Sequence, residues 1–484
     1  MVDLPPAVNN GDVAWVIVAT AFVFAMHIGL GFFYAGLARA KHALSLMFLM
    51  LLSVAVVSLQ WYLLGYSLTF SETGSRFIGD LTNAVGRGIG MKPNSLAPSI
   101  PSSMFFVFQL MFASITPALA FGSSAERMRI APAIVFLFVW ETLVYDVITS
   151  WVWGPNGWLK ALGVMDFAGG TPVHIASGLA AVAYAIVVGK RRDYVDFNVP
   201  HSPSFVFLGT GFLWFGWFGF NGGSSLTADA RGVQALISTH LSGCVGGLAW
   251  ILMDYRLKRK WSMIGFCTGA VAGLATITPA SGYVTSASSL AFGFLGGIIC
   301  NLAVTYKHKY NFDDALDVFA VHYVGGIVGL ILTGVFAQRD IVSLSYPPGA
   351  EVPLGGWLDG NWMAVPIQLA AIASVSAWSF VVTYIILFVM NKIPGLHLRL
   401  CDQEEAMGTD EVEIGEKCYN FSPADLTLLQ EKLLETGVLK QLLSAGPHSM
   451  QSVSSQEDAD TMASEKEKHH ATHIEEVKKE NGDV

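Results

Sequence analysis

The sequence predicts an all-α polytopic membrane protein: eleven transmembrane helices, built as an inverted repeat of five plus five with one extra helix. Three observations carry this. Of 484 residues 53% are hydrophobic and only 13% charged, too little polar surface for a soluble chain of this length. There are 49 glycines, the residue that lets helices approach closely in lipid. And the chain divides into eleven apolar runs near the length that crosses a bilayer.

The first run, 13–37, follows a terminus that carries Asp3 and Asp12 and no Lys or Arg, the wrong charge for a cleaved signal peptide. It ends at Arg39 and Lys41, and the second run, 43–69, leads into a polar stretch with Arg76, Arg87 and Lys92. Runs 101–122 and 131–152 flank Arg127 and Arg129, and Lys160 separates them from 171–189, which closes on Lys190, Arg191 and Arg192. Runs 204–223 and 234–254 are parted by Arg231; Arg256, Lys258, Arg259 and Lys260 then precede 261–278. Run 284–305 ends at Lys307 and Lys309, 318–337 at Arg339, and 362–390 at Lys392 and Arg399. Alternate connections therefore collect fifteen basic residues against six. The richer set is expected in the cytoplasm, with the N-terminus (1–12) extracellular, the membrane domain at 13–391 and the C-terminus cytoplasmic.

Residues 400–484 hold 19 Asp/Glu and 7 Lys/Arg, and residues 1–399 hold 18 and 21. No nucleic-acid partner is suggested by that balance. The segment 392–443 reads as a cytosolic regulatory segment, with apolar residues at helical spacing over 426–443, and 444–484 as a disordered acidic tail. Basic inner loops such as 256–260 suit the acidic segment as partners. Ser452, Ser454 and Ser455 precede Glu457-Asp458, a context that suits a regulatory kinase, set against a tail that is solvated and carries no switch. The five cysteines, at 244, 267, 300, 401 and 418, have neither metal nor disulfide spacing, and no cofactor or enzymatic motif is found.

Two stretches echo each other. Asp166-Phe167-Ala168-Gly169-Gly170-Thr171-Pro172-Val173-His174 opens the fifth run, and Asp317-Val318-Phe319-Ala320-Val321-His322 opens the tenth. Ionisable groups at bilayer depth usually face a cavity or a partner. Five spans in each half, an odd number, invert the second half relative to the first. His174 then enters from the outer face and His322 from the inner, eight and five residues past their aspartates. That is roughly 7 to 12 Å of helix, so the imidazoles are expected to meet near mid-membrane on a pseudo-two-fold axis. A lone histidine in an apolar span is more often satisfied by a nearby polar group, and His27, with no echo, reads as structural or vestibular. Glu141 and Asp146, in the fourth run, have no partner that the sequence names.

At Phe32-Phe33-Tyr34-Ala35-Gly36-Leu37, Ala125-Glu126-Arg127-Met128-Arg129, Asp166–His174, Gly216-Trp217-Phe218-Gly219-Phe220-Asn221-Gly222-Gly223-Ser224 and Asp317–Gly326, the chain resembles the ammonium transporter family (Amt/Mep/Rh). The Gly31–Lys41 wording is most similar to the fungal Mep-type permeases. The resemblance covers residues 12 to about 420 and implies an eleven-helix protomer, a homotrimer, membrane lipid around it and one narrow pore in each protomer. By this resemblance Phe108, Trp153 and Ser224 match the substrate-recruitment site, Phe112 and Phe220 the two rings that gate the pore, and His174 with His322 the twin histidines of a pore proton relay. Asp166 matches an aspartate near the vestibule whose role looks structural. The chain departs from the family at Met26-His27-Ile28-Gly29, where relatives commonly carry a proline before the glycine.

Each of these residues also has an ordinary reading. An interfacial tryptophan such as Trp153 is often a belt residue, Ser224 among small neighbours a helix contact, and most phenylalanines in apolar runs simply pack. The implied function is ammonium transport across the plasma membrane. NH4+ is recruited and deprotonated, and NH3 and H+ pass a hydrophobic pore, with ammonium sensing as a further role. The alternatives are a neutral NH3/gas channel and a bis-histidine haem redox protein.

Overall fold

Apolar runs can cross lipid only in a conformation that satisfies their own peptide groups, and each run forms a helix. The computed structural model describes residues 8–194, 199–307, 309, 312–347 and 350–419. Ser452, Ser454, Ser455, the helix expected at 426–443 and the tail 444–484 lie outside the described residues. In chain order the helices are α1 (Asn10–Leu37), α2 (Ala40–Phe70), α3 (Ser102–Ser124), α4 (Ile130–Val152), α5 (Gly170–Val188), α6 (Pro203–Ser225), α7 (Ala230–Lys258), α8 (Met263–Ile277), α9 (Ser286–Lys307), α10 (Phe319–Phe336) and α11 (Ala364–Met390). All but α8 are long and apolar enough to span a membrane; α8 is apolar but has 15 residues. Ser262 caps its start by accepting from Gly265 N at 2.9 Å, and Pro279 stands just past its end, where a proline ring blocks further helix. The largest boundary difference is in α7, which begins at Ala230, four residues before the expected run. Asp229 explains it by capping that end, accepting from Gly232 N at 2.9 Å.

Counterparts from the two halves lie together: α1 runs along α6, and α5 along α10. The first contact is close because it is glycine to backbone. A Cβ on Gly209 would stand 2.4 Å from Phe33 N, and one on Gly29 would stand 2.8 Å from Leu213 N. Within each half the second helix packs on the third and fourth, α2 on α3 and α4, and α7 on α8 and α9. The unpaired α11 lies across α4, α5 and α10. His27 is structural. Its Nδ1 lies 3.2 Å from Phe24 O and its Nε2 2.9 Å from Ser114 Oγ, which ties α1 to α3.

One end of the bundle is locked by buried charge. Arg191 donates to both Asp313 oxygens at 2.8 Å and to Glu126 Oε2 at 3.1 Å. Arg39 binds Glu126 through its backbone N and its Nε, both at 2.8 Å, and the fully buried Arg127 donates to Gly189 O and Asp313 O. Four connections, α1–α2, α3–α4, α5–α6 and α9–α10, are thereby joined. Burial alone would lift the Glu126 and Asp313 carboxyls, but the guanidiniums beside them hold both below the usual carboxylate range. Breaking a buried pair leaves an uncompensated charge and typically costs about 3–5 kcal/mol. We therefore expect Arg191→Met to lower the melting temperature of the purified protein strongly, while an unshifted Tm would show that the four connections are held by other contacts.

Candidate functional site

Both α5 and α10 begin with a stretch of π-helix, Gly170–Ile175 and Phe319–Val324. Such wider turns are rare and concentrate at functional sites, and here they carry His174 and His322. The start of α5 is built around Asp166. Its Oδ1 accepts from Gly169 N at 2.9 Å and Gly170 N at 2.7 Å, and its Oδ2 from Thr171 N at 2.7 Å and Thr171 Oγ1 at 2.5 Å. Gly169 sits at φ +111°, a left-handed conformation that glycine adopts freely. Burial raises the Asp166 carboxyl above its ordinary value, with Thr171 and the backbone donors pulling it back.

The corresponding residue in the second half is Asp314, not the expected Asp317. Asp314 Oδ2 accepts from Phe319 N, five residues on, at 2.8 Å, as Asp166 accepts from Thr171 N. Asp317 instead occupies the left-handed position, φ +62°, that Gly169 holds in the first half, and it pairs with Lys307. Counted from these capping aspartates both histidines are eight residues on, so the two half-sites match in spacing as well as in composition.

The two imidazoles meet, His174 Nδ1 lying 3.1 Å from His322 Nδ1. Trp217 stacks 5.7 Å from the His174 ring. His174 Nε2 is buried without a hydrogen-bond partner among the described residues, on the wall of a chamber lined mostly by apolar groups such as Leu30, Ile115, Leu213 and Val271, with Thr268 and His322 among them. About 30 Å³ of it is open to the centre of a water-sized body. Roughly 10–15 Å³ suffices for one water, so the chamber holds a few molecules of the size of water or ammonia. On one side Phe220 lines it, and the Phe112 ring lies against that of Phe220. Their centroids are 4.2 Å apart and their planes tilted by 38°, and both rings are buried. On the other side Tyr34, its hydroxyl bound to Leu119 O at 2.9 Å, and Val318 line the wall.

Beyond the ring pair a vestibule opens, lined among others by Trp153, Asp166, Ser224, Phe105, Gln109 and Lys160. The Trp153 indole is fixed by donation from Nε1 to Asp166 O at 2.9 Å, and its ring stands edge-on to Phe112 at 6.0 Å. Ser224 Oγ donates to Phe220 O at 2.7 Å, which leaves its lone pairs facing outward as acceptors. Phe108 is fully buried beneath this floor, 5.0 Å from Phe112, and does not line the vestibule itself.

The Ammonium Transporter Family matches residues 14–419 of the chain. Ammonium transporter 1 of Schizosaccharomyces pombe is 51% identical over 425 residues, 87% of this chain and 84% of that protein. The crystal structure of Saccharomyces cerevisiae Mep2 superposes with a TM-score of 0.80 at 42% identity, covering 87% of this chain and 94% of that one. The structure of Candida albicans Mep2 gives 0.79 at 44% identity, over 86% and 92%. The chain belongs to the ammonium transporter family. As its relatives are, this is a transport protein of the membrane and not an enzyme.

In this ammonium transporter the acidic segment after α11 folds onto the charged end. Glu404 pairs with Arg129, Glu405 accepts from Arg399 Nη2 at 2.8 Å and from Arg192 N at 2.7 Å, and Lys41 Nζ donates to Ala406 O at 2.7 Å. Asp410 accepts from Leu44 N at 3.0 Å and Ser45 N at 2.7 Å, capping α2. These partners lie at the start of α2, on the α3–α4 and α5–α6 connections and at Arg399, not on the 256–260 loop. Asp314 and Trp217 are the site residues that sequence reasoning missed; for Asp314 the signal was available, as an aspartate eight residues before the second histidine. Burial pushes the Asp314 carboxyl up to about 6. A raised acid favours the folded state below its unfolded value of about 4 and loses that contribution as pH rises through about 6. The Tm of the wild type should therefore fall relative to that of Asp314→Asn across this window, and parallel pH profiles of the two would remove the assignment.

Proposed function

We propose that the transporter carries ammonium by recruiting NH4+ in the Trp153–Ser224 vestibule, deprotonating it at the Phe112–Phe220 pair, and passing NH3 and H+ separately along His174 and His322. The observation that carries this reading is the 3.1 Å Nδ1–Nδ1 contact on the wall of an apolar chamber. Two imidazoles that share one Nδ1 proton must differ in tautomer. The ring that donates has a bare Nε2, and the ring that accepts carries its proton on Nε2. The pair thus offers ammonia one acceptor and one donor. A proton arriving at the bare Nε2 is balanced when the shared proton crosses between the rings and the second Nε2 releases its own, with no net charge stored.

Selectivity follows from the barrier. A dry constriction penalises K+ and NH4+ alike, but only ammonium can shed its charge as a proton. Aromatic faces and the Ser224 hydroxyl recruit the cation without fixed charge, a cation–π contact being worth ~0.5–2 kcal/mol. Net transfer is electrogenic, so an ammonium jump on proteoliposomes should give a current; uptake without current would favour a neutral gas channel. A haem between the histidines would need its axial nitrogens about 4 Å apart, at roughly 2 Å from a metal each, and 3.1 Å is too close. In the cell we place the charged end in the cytosol of a plasma-membrane homotrimer. There residues 392–443 regulate transport, and a kinase acting on Ser452, Ser454 or Ser455 modulates it.

Replacing both histidines with alanine should abolish the current or its ammonium selectivity. A double-alanine protein that folds, conducts ammonium and still excludes potassium as before would end the relay role. Trp153→Leu should weaken apparent ammonium affinity a few-fold with the fold intact, and unchanged affinity would remove the recruitment site.

A further inference from the structure

Away from the pore, a second set of ionisable groups lies at membrane depth. Gln60 of α2 and Glu141, Tyr145, Asp146 and Thr149 of α4 are all fully buried. The two helices break register at the same level. α2 has a π segment at Trp61–Gly65, immediately after Gln60, and α4 has one at Glu141–Tyr145; the two segments pack against each other. Asp146 is provided for as an acceptor: Gln60 Nε2 donates to Oδ2 at 2.7 Å and Thr69 Oγ1 to Oδ1 at 3.3 Å. Glu141 is not. Among the described residues neither of its oxygens has a hydrogen-bond partner, and Gln60 Oε1, also buried, lacks a donor.

Two carboxyls within electrostatic reach of each other, with no Lys, Arg or His acting on either among the described residues, cannot both stay ionised in so apolar a setting. The missing positive charge is a proton or a small cation. Both Asp146 oxygens already face donors, which would repel a cation, and a metal needs several converging oxygens; among the described residues no group of three His, Cys, Asp or Glu forms one. A proton on Glu141 needs no such set of ligands. We propose that Glu141, buried where the π segments of α2 and α4 meet, is a proton-binding site that holds one exchangeable proton, separate from the twin histidines. The titratable groups beside Glu141 are Tyr145 and Asp146 of its own helix, and α2 presents the neutral Gln60 and Thr69.

The test is infrared spectroscopy of the full-length protein in proteoliposomes, recorded in H2O and D2O. A protonated-carboxyl C=O band should shift on deuteration, disappear in Glu141→Gln, and persist at an altered frequency in Asp146→Asn. Glu141→Gln is nearly isosteric, so its ammonium flux should remain and reports that it has folded. If that variant keeps every protonated-carboxyl band of the wild type, the proposal fails. It fails equally if the band does not move in D2O, or if sodium or ammonium at fixed pH abolishes it, since a cation then occupies the site. Should Glu141→Gln not fold, an unaltered frequency in Asp146→Asn overturns it.

Discussion

A helix that begins inside a membrane protein leaves its first N–H groups without partners, and in this transporter two buried aspartates satisfy them. Asp166 gathers four donors at the start of α5, and Asp314 reaches the corresponding amide of α10. From those two fixed points the π turns run inward by the same eight residues and deliver His174 and His322 to one another. The caps thus help to set the depth at which each imidazole lies, and the histidine contact depends on helix ends satisfied by carboxylates as well as on the packing around the rings.

The same demand, that polar groups in an apolar medium find partners, organises the charged end. Glu126, Arg191 and Asp313 come from three connections distant in sequence, and each makes the others tolerable. Arg127, fully buried, spends its donors on the carbonyls of Gly189 and Asp313, on two of those same connections. Charge that would be expensive alone becomes a clamp across four loops.

Much of this was legible in the residues. Hydrophobic run length located all eleven helices because lipid allows the backbone little choice, and the basic connections marked the end at which the clamp forms. The histidine pair was legible because the motif repeats. What escaped was decided by geometry that composition does not carry. Asp317 stands nearer its histidine in sequence, yet the left-handed turn gives the capping role to Asp314. Phe108 falls in a familiar motif but packs under the vestibule floor, since Gly223 leaves room for its ring close by. Trp217 stood inside a quoted motif but was given no role, because its stacking on His174 depends on how α6 meets α5 and not on local wording. Glu141 and Asp146 were visible as oddities, but only the packed π turns brought Gln60 to them.

The Asp410 carboxylate that completes the first turn of α2 comes from a residue more than 360 positions later in the chain. A ribosome makes α2 early and Asp410 only after α11 has emerged. Until then the opening amides of α2 must be served by water or by something transient. The last folding event on that face is thus the return of a late segment to an early one, and a nascent chain that stops short of it is left with a membrane helix whose end is open. Completion of synthesis is written into the architecture as a pair of hydrogen bonds.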